Sequence, residues 1–207
     1  MSRTGSLVFL LCSLALSRVA SADGGPFGID HQVREDNSGI WKRSYQKDLF
    51  AGTMLVVAGG ALWEGDDNKL GDTFWRSIDS TVLSFGSAEA MKFAFSRERP
   101  SQTANPNKFF TGHGNDSFPS GEVSEITGAV TPFIFAYGAD HPAVYGLALL
   151  PIYDAIARVK VRGHWQSDVI VGAALGTGWG WYASQRDKPL VLSFLPGGLM
   201  VGFKKDF

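Results

Sequence analysis

Apolar positions along the chain fall mostly at helical spacing, broken by short polar or glycine-rich stretches. From Asp48 to about Trp63 the segment DLFAGTMLVVAGGALW is apolar and helical in character. Its apolar core is short for a membrane span and holds three glycines, so it predicts a buried central helix. GDDNKLGD then reads as a turn, and TFWRSIDSTVLSF with SAEAMKFAFSRER predicts two helices divided near Gly86. Three more helices are expected over Gly121 to Tyr137, Pro142 to Val159 and His164 to Ser184, each introduced by Pro or Gly punctuation. Between the two groups, Pro100 to Pro119 is rich in Pro, Asn, Gly and Ser and has no helical period, and loops of that length in a compact domain are usually functional.

The pattern therefore predicts one all-α helical domain over residues 46–187. An aperiodic polar arm over residues 23–45 precedes it, with no chemistry legible in it. The end of the chain, PLVLSFLPGGLMVGFKKDF, suggests two short strands around a Pro-Gly-Gly turn, a hairpin-like tail over residues 188–207. At the other end Arg3 precedes the apolar run LVFLLCSLAL and then Ala20-Ser21-Ala22, the pattern of a signal peptide cut after Ala22. Export to a periplasmic or other extracytoplasmic compartment follows as the expectation.

Without residues 1–22 the chain loses its only cysteine, so neither a disulfide nor thiol catalysis is expected. Basic and acidic residues nearly balance, 19 against 20, with no basic stripe, which argues against a nucleic-acid partner. Polar interruptions such as Glu125, Asp154 and Gln166, and a mean hydropathy of zero, argue for a body that is soluble or peripheral to a membrane surface.

Three clusters carry the chemistry. In KFAFSRERP, Lys92 and Arg99 are seven positions apart and share a helix face if the helix persists, while Pro100 ends it. Alone, such a pair merely complements a helix dipole. In SFPSGE a loop turns into a helix: Ser120 is placed to cap it, and Gly121 lets an anion approach free backbone N–H groups. In RVKVRGHWQSD, His164 and Asp168 stand at i and i+4, so the carboxylate can fix the imidazole tautomer and free the other nitrogen to attack phosphorus. Arg158 adds a third cation, with Asp154 placed four residues earlier to orient it.

In order, these are Lys-x6-Arg-Pro, Pro-Ser-Gly-x and Arg-x5-His-x3-Asp, spanning Lys92 to Asp168. The set resembles the type 2 phosphatidic acid phosphatase superfamily, which also holds bacterial non-specific acid phosphatases and vanadium haloperoxidases. The resemblance implies a helical bundle with the site between helices. It further implies that Lys92, Arg99 and Arg158 hold the phosphoryl oxygens, that Ser120 and Gly121 supply hydrogen bonds, and that His164 attacks while Asp168 orients it. No metal or other cofactor is implied, since three cations and a helix N-terminus can stabilise the developing charge.

Two positions depart from the pattern. Ala157 stands where the family usually has a serine, and Glu122 occupies the place of the histidine that protonates the leaving oxygen. Three accounts of the missing histidine are open: a buried Glu122 held protonated, His113 in the preceding loop, or a leaving group that needs little protonation, such as a pyrophosphate. The expected function is a metal-independent phosphatase that cleaves phosphomonoesters or pyrophosphates, lipid phosphates foremost, through a phosphohistidine. The rivals are a catalytically silent phosphate- or phospholipid-binding protein and a vanadium-dependent haloperoxidase.

Overall fold

The computed structural model describes residues 24–112 and 114–190. Five α-helices make up the body: α1 (Arg43–Glu64), α2 (Lys69–Phe95), α3 (Gly121–Tyr137), α4 (Leu149–Lys160) and α5 (Gln166–Ser184). Two 3-10 turns, Gly39–Trp41 and Pro142–Ala148, lead into α1 and α4. The described residues contain no strand, in keeping with an all-α body. The leader over residues 1–22, and the hairpin-like tail from residue 191 onward, lie outside the described residues.

The centre is α3, packed most extensively on α5 and then on α2, with α1 and α4 on the outside. Small residues set this arrangement. Gly172, Gly176 and Gly180 recur every four residues along one face of α5 and meet Ser120, Ser124 and Thr131 of α3. A β-carbon on Gly172 would lie 2.6 Å from the Ser120 carbonyl oxygen, and one on Gly176 would lie 2.8 Å from the Gly128 nitrogen. On the other side of α3, Gly128 lets Ser80 and Ser84 of α2 approach to the same degree. Pro132 lies inside α3 and cannot donate to the Gly128 carbonyl one turn back. The Ser80 hydroxyl donates to that carbonyl instead at 2.6 Å, which repairs the ladder and ties α2 to α3.

Several expectations are corrected here. The segment beginning near Asp48 is not the buried central helix. In α1 only Gln46, Val57 and Ala61 are buried, and Leu55, Val56, Leu62 and Trp63 are exposed. The centre goes to α3 because α2 and α5 can approach it closely. Gly86 does not divide α2, which runs unbroken from Lys69 to Phe95, because a single helical glycine costs only about 1 kcal/mol and packing on α3 outweighs it. Conversely, Pro142 to Val159 is not one helix. Pro151 lacks an N–H and fits only the first turn of a helix, so the α-helix restarts at Leu149 after a 3-10 turn. The last helix starts at Gln166, with Trp165 as its N-cap, so His164 precedes the helix.

The alternation of helix direction gathers one set of ends together. Lys92 in the last turn of α2, Gly121 at the start of α3, Arg158 in the last turn of α4 and Arg43 at the start of α1 all border one pocket. The stretch Pro142–Lys160 is long and apolar enough to cross a membrane by length and composition.

Substitution on the packed glycine face and the open one should have opposite effects. Gly176→Val is expected to destabilise the fold by about 1–3 kcal/mol or more through overpacking. Gly178→Ala, with nothing within 4 Å of a new β-carbon, should be neutral or stabilising by up to about 1 kcal/mol. Urea melts of both variants check this, and equal effects would contradict the close approach of α3 and α5.

Candidate active site

The scaffold of the pocket is a buried ionic cluster. Arg97, wholly buried just past α2, pairs through Nη2 with Asp30 Oδ2 at 2.6 Å and through Nη1 with Asp168 Oδ1. Its guanidinium also donates to the Pro106 carbonyl and stacks 4.5 Å from the centre of the Phe109 ring. Asp30 in turn accepts from the Ser167 N–H and hydroxyl, each at 2.7 Å. Asp168 Oδ2 accepts from the Ser117 hydroxyl at 2.5 Å and from the Trp165 N–H at 2.8 Å, the second bond capping α5. Burial raises the Asp168 carboxyl to about 6 against the pull of Arg97, Ser117 and Trp165, which leaves it ionised at neutral pH. One cation thus fastens the arm, the end of α2, the loop before α3 and the start of α5. Phe95, Phe109 and Phe118 pack edge to face beneath that loop.

This cluster places His164. Its Nδ1 lies 2.6 Å from the Ser117 carbonyl oxygen and 3.7 Å from Asp168 Oδ2. A backbone carbonyl can only accept, so Nδ1 carries the proton and Nε2 is left with its lone pair. The expectation that Asp168 fixes the tautomer directly is corrected accordingly. Asp168 acts one bond away, by holding the Ser117 hydroxyl and the start of α5. Burial, then Arg158 and Arg99, hold the imidazole well below its ordinary range, so it is neutral.

Around His164 opens a pocket of ≈ 480 Å³, lined by Arg43, Lys92, Arg99, Arg158 and Arg162 against the carboxylates of Asp116 and Glu122. Lys92 and Arg99 do not share a helix face as expected, because α2 ends at Phe95 with Ser96 in the left-handed conformation. They arrive from different elements. Lys92 Nζ pairs with Glu89 at 2.5 Å, while Arg99 pairs with Asp116 at 2.8 Å and donates to the Gly163 carbonyl at 3.1 Å. Arg158 passes under Gly163, where a β-carbon would lie 2.8 Å from its Nη2. Burial pushes Arg158 down to about 10, which leaves it charged. Asp154 does not pair with it. Both carboxyl oxygens of Asp154 lack a hydrogen-bond partner, burial raises it to about 7, and Arg158 Nη1 reaches Gln46 Oε1 at 3.5 Å instead.

Ser120 is the N-cap residue of α3 but makes no capping bond. Its N–H donates to the Asp168 carbonyl at 3.0 Å, and its buried hydroxyl has no partner. Gly121 lines the pocket. Glu122 is the chief surprise. Burial alone would raise its carboxyl, yet Arg43 grips both oxygens, Nη1 to Oε2 at 2.6 Å and Nη2 to Oε1, and with Arg158 brings it below the ordinary glutamate range. The expectation that burial keeps Glu122 protonated is therefore overturned. It is ionised and can only accept. His113 lies outside the described residues.

Sequence reasoning missed Asp30, Arg43, Arg97, Asp116 and Ser117. An arm without periodicity hides Asp30, and Arg97 stands among the charges of SRER with nothing to mark it as buried. Glu122 was itself a signal for Arg43, since a carboxylate among cations expected to bind phosphate calls for a partner.

A family model described as the PAP2 superfamily matches residues 74–189. Over 116 residues, 55% of this chain and 24% of the relative, the sequence is 33% identical to a protein named lipid A 1-phosphatase from Porphyromonas gingivalis. The match therefore spans about a quarter of that relative's length. No solved structure matches the chain.

Removing the central cation tests the scaffold. Arg97→Met leaves two carboxylates buried together and should cost about 3–5 kcal/mol in a denaturant melt, the penalty of breaking a buried pair. A loss below about 1 kcal/mol would show that Arg97 does not hold the four segments together.

Proposed function

This chain belongs to the PAP2 superfamily, and on that premise we propose that it is a phosphatase working through a phosphohistidine on His164. The observation that carries the reading is the coincidence of a neutral imidazole, proton fixed on Nδ1, with Lys92, Arg99 and Arg158 around one pocket. His164 Nε2 attacks phosphorus and the ester P–O bond breaks. A water then attacks the phosphoryl group and returns the nitrogen its lone pair. The three cations and the start of α3 stabilise the charge on the equatorial oxygens. In this reading the protein's own side chains and the backbone at the start of α3 supply all of the charge stabilisation, and Asp168 is a positioning residue acting through Ser117.

The substrate we propose is a lipid phosphate met outside the cytoplasm, the chain being exported by its leader and peripheral to a membrane surface. Supporting this, an apolar groove of ≈ 400 Å³ lies between α1, α3 and the stretch leading into α4, bordered by Gly52, Val56, Phe74, Val130, Phe133 and Leu150. The same helices that reach the phosphate pocket border it further along: Arg43 and Val56 on α1, Gly121 and Val130 on α3, Arg158 and Leu150 on α4. At about 1.5 Å per residue the nearest groove residues, Asp48 on α1, Ala129 on α3 and Leu150 on α4, stand roughly 7–12 Å along their helices from Arg43, Glu122 and Arg158, within reach of an extended acyl chain. The relative's name, lipid A 1-phosphatase, agrees with a lipid substrate. A second reading, phosphate binding without turnover, is favoured by the capture of Glu122 by Arg43, which leaves no histidine at the position where the family places its acid.

Turnover separates the two readings. Against p-nitrophenyl phosphate, His164→Ala should lower kcat/KM by at least about 10³-fold, EDTA should leave the rate unchanged and vanadate should compete with substrate. Activity within tenfold of the parent in His164→Ala, or a need for added divalent metal, would contradict the mechanism. For the groove, Gly52→Phe should raise KM for long-chain lipid phosphates at least about tenfold without affecting p-nitrophenyl phosphate. No change in either would remove the groove from the account.

A further inference from the structure

An alkyl leaving group departs as an alkoxide unless a proton reaches it, and the two carboxylates that line the pocket cannot provide one. Arg43 holds Glu122 ionised, and Arg99 does the same to Asp116 despite partial burial. We propose that Glu125, one turn further along α3, is the general acid that protonates the leaving oxygen. The proposal rests on the phosphohistidine reading above.

The placement comes from Gly121. A β-carbon there would lie 3.0 Å from Lys92 Nζ and 3.6 Å from Glu125 Oε1. The Glu125 carboxyl is thus folded back over the first turn of α3, as helical side chains lean toward the N-terminus, and sits beside the cation that lines the pocket. A β-carbon at 121 would be in ordinary contact with Glu125 and tight only against the flexible end of Lys92. In-line displacement puts the leaving oxygen on the far side of phosphorus from His164, so its donor must come from an element other than the α4–α5 connection. The wall formed by α2 and α3 is such an element. Glu125 is only partly exposed and makes no hydrogen bond or ion pair among the described residues.

The charged groups that face it are Lys92 and Glu89 of α2 and Glu122 of its own helix. Burial, reinforced by the two glutamates and opposed by Lys92, raises its carboxyl to about 7. Near neutral pH it is therefore divided between the two forms, which is the condition for efficient proton transfer in both directions. As His164 Nε2 bonds to phosphorus, the P–O bond breaks, its electron pair stays on the leaving oxygen, and that oxygen takes the Glu125 proton. The Glu125 carboxylate then accepts a proton from the water that attacks the phosphohistidine. The P–N pair returns to His164, and Glu125 is again protonated.

The test uses the full-length purified protein and two substrates, an alkyl phosphate with a poor leaving group and p-nitrophenyl phosphate with a good one. Glu125→Gln should lower kcat/KM about 10²- to 10⁴-fold on the alkyl ester and less than about tenfold on the nitrophenyl ester. In the parent protein the alkyl rate should fall as pH rises through about 7, where Glu125 loses its proton, and the variant should lack that limb. Glu122→Gln, compared at a pH well below that limb, should instead lower both substrates alike, since it frees Arg43 and Glu125 there keeps its proton even without the Glu122 charge. Equal losses on both esters in Glu125→Gln, no loss on either, or a leaving-group-selective loss in His113→Ala or Glu122→Gln would each overturn the assignment. If Glu125→Gln melts early, Glu125→Asp supplies the same comparison, and the dependence of rate on leaving-group pKa must steepen relative to the parent. Failure of the underlying mechanism is separable, because the parent protein would then lack turnover of p-nitrophenyl phosphate as well.

Discussion

A guanidinium sealed from solvent between two carboxylates governs the geometry of this molecule. The Arg97 guanidinium meets Asp30 and Asp168 with all three side chains out of solvent, and removing it would leave two carboxylates buried without a counter-charge. Because the three residues come from the arm, the end of α2 and the first turn of α5, satisfying their charges forces those segments together. Asp168 then has two lone pairs left for the Ser117 hydroxyl and the Trp165 N–H, and the Ser117 carbonyl is left for the imidazole. The position and tautomer of His164 are thus consequences of burying one arginine. The side chains that touch phosphate in the proposed mechanism are a layer in front of this cluster.

That front layer is neutralised in the free protein. Glu89 occupies Lys92, Asp116 occupies Arg99 and Glu122 occupies Arg43. In the proposed mechanism a phosphate entering the pocket competes with three carboxylates for cations already in place, so the cations are preorganised and their mutual repulsion is damped. Arg158, by contrast, has only a long contact to Gln46 and an unpartnered Nε, and so keeps hydrogen-bonding capacity for an anion. The replacement of histidine by Glu122 changes the electrostatics of the site in one step. It removes a titratable donor and draws in an arginine from α1.

Helix α3 was legible from Gly121 to Tyr137 because Ser-Gly punctuation at one end and Tyr-Gly at the other bound a continuous apolar stretch. Lys92, Arg99, Gly121, Arg158 and His164 were singled out by residue type and spacing and Glu122 as a departure from the motif that the resemblance supplied, and the structure brings all six to one pocket. What escaped was long-range. The burial of Arg97 depends on Asp30, 67 positions away, and the ionisation of Glu122 on Arg43, 79 positions away; no local pattern records either. The central place of α3 and the exposure of α1 were misjudged for a related reason. Hydrophobicity alone favours α1, whereas closeness of approach, set by Gly128, Gly172 and Gly176, decides which helix lies at the centre.

The central claim is that phosphorus is bonded to His164 during turnover. Rapid quenching of the protein with a substrate labelled in its phosphoryl group, followed by denaturation and peptide mapping, tests this directly. The account predicts a label that is stable in base, lost in acid and confined to the peptide carrying His164. Recovery of all label as free phosphate at every quench time, or its attachment to another residue, would contradict it.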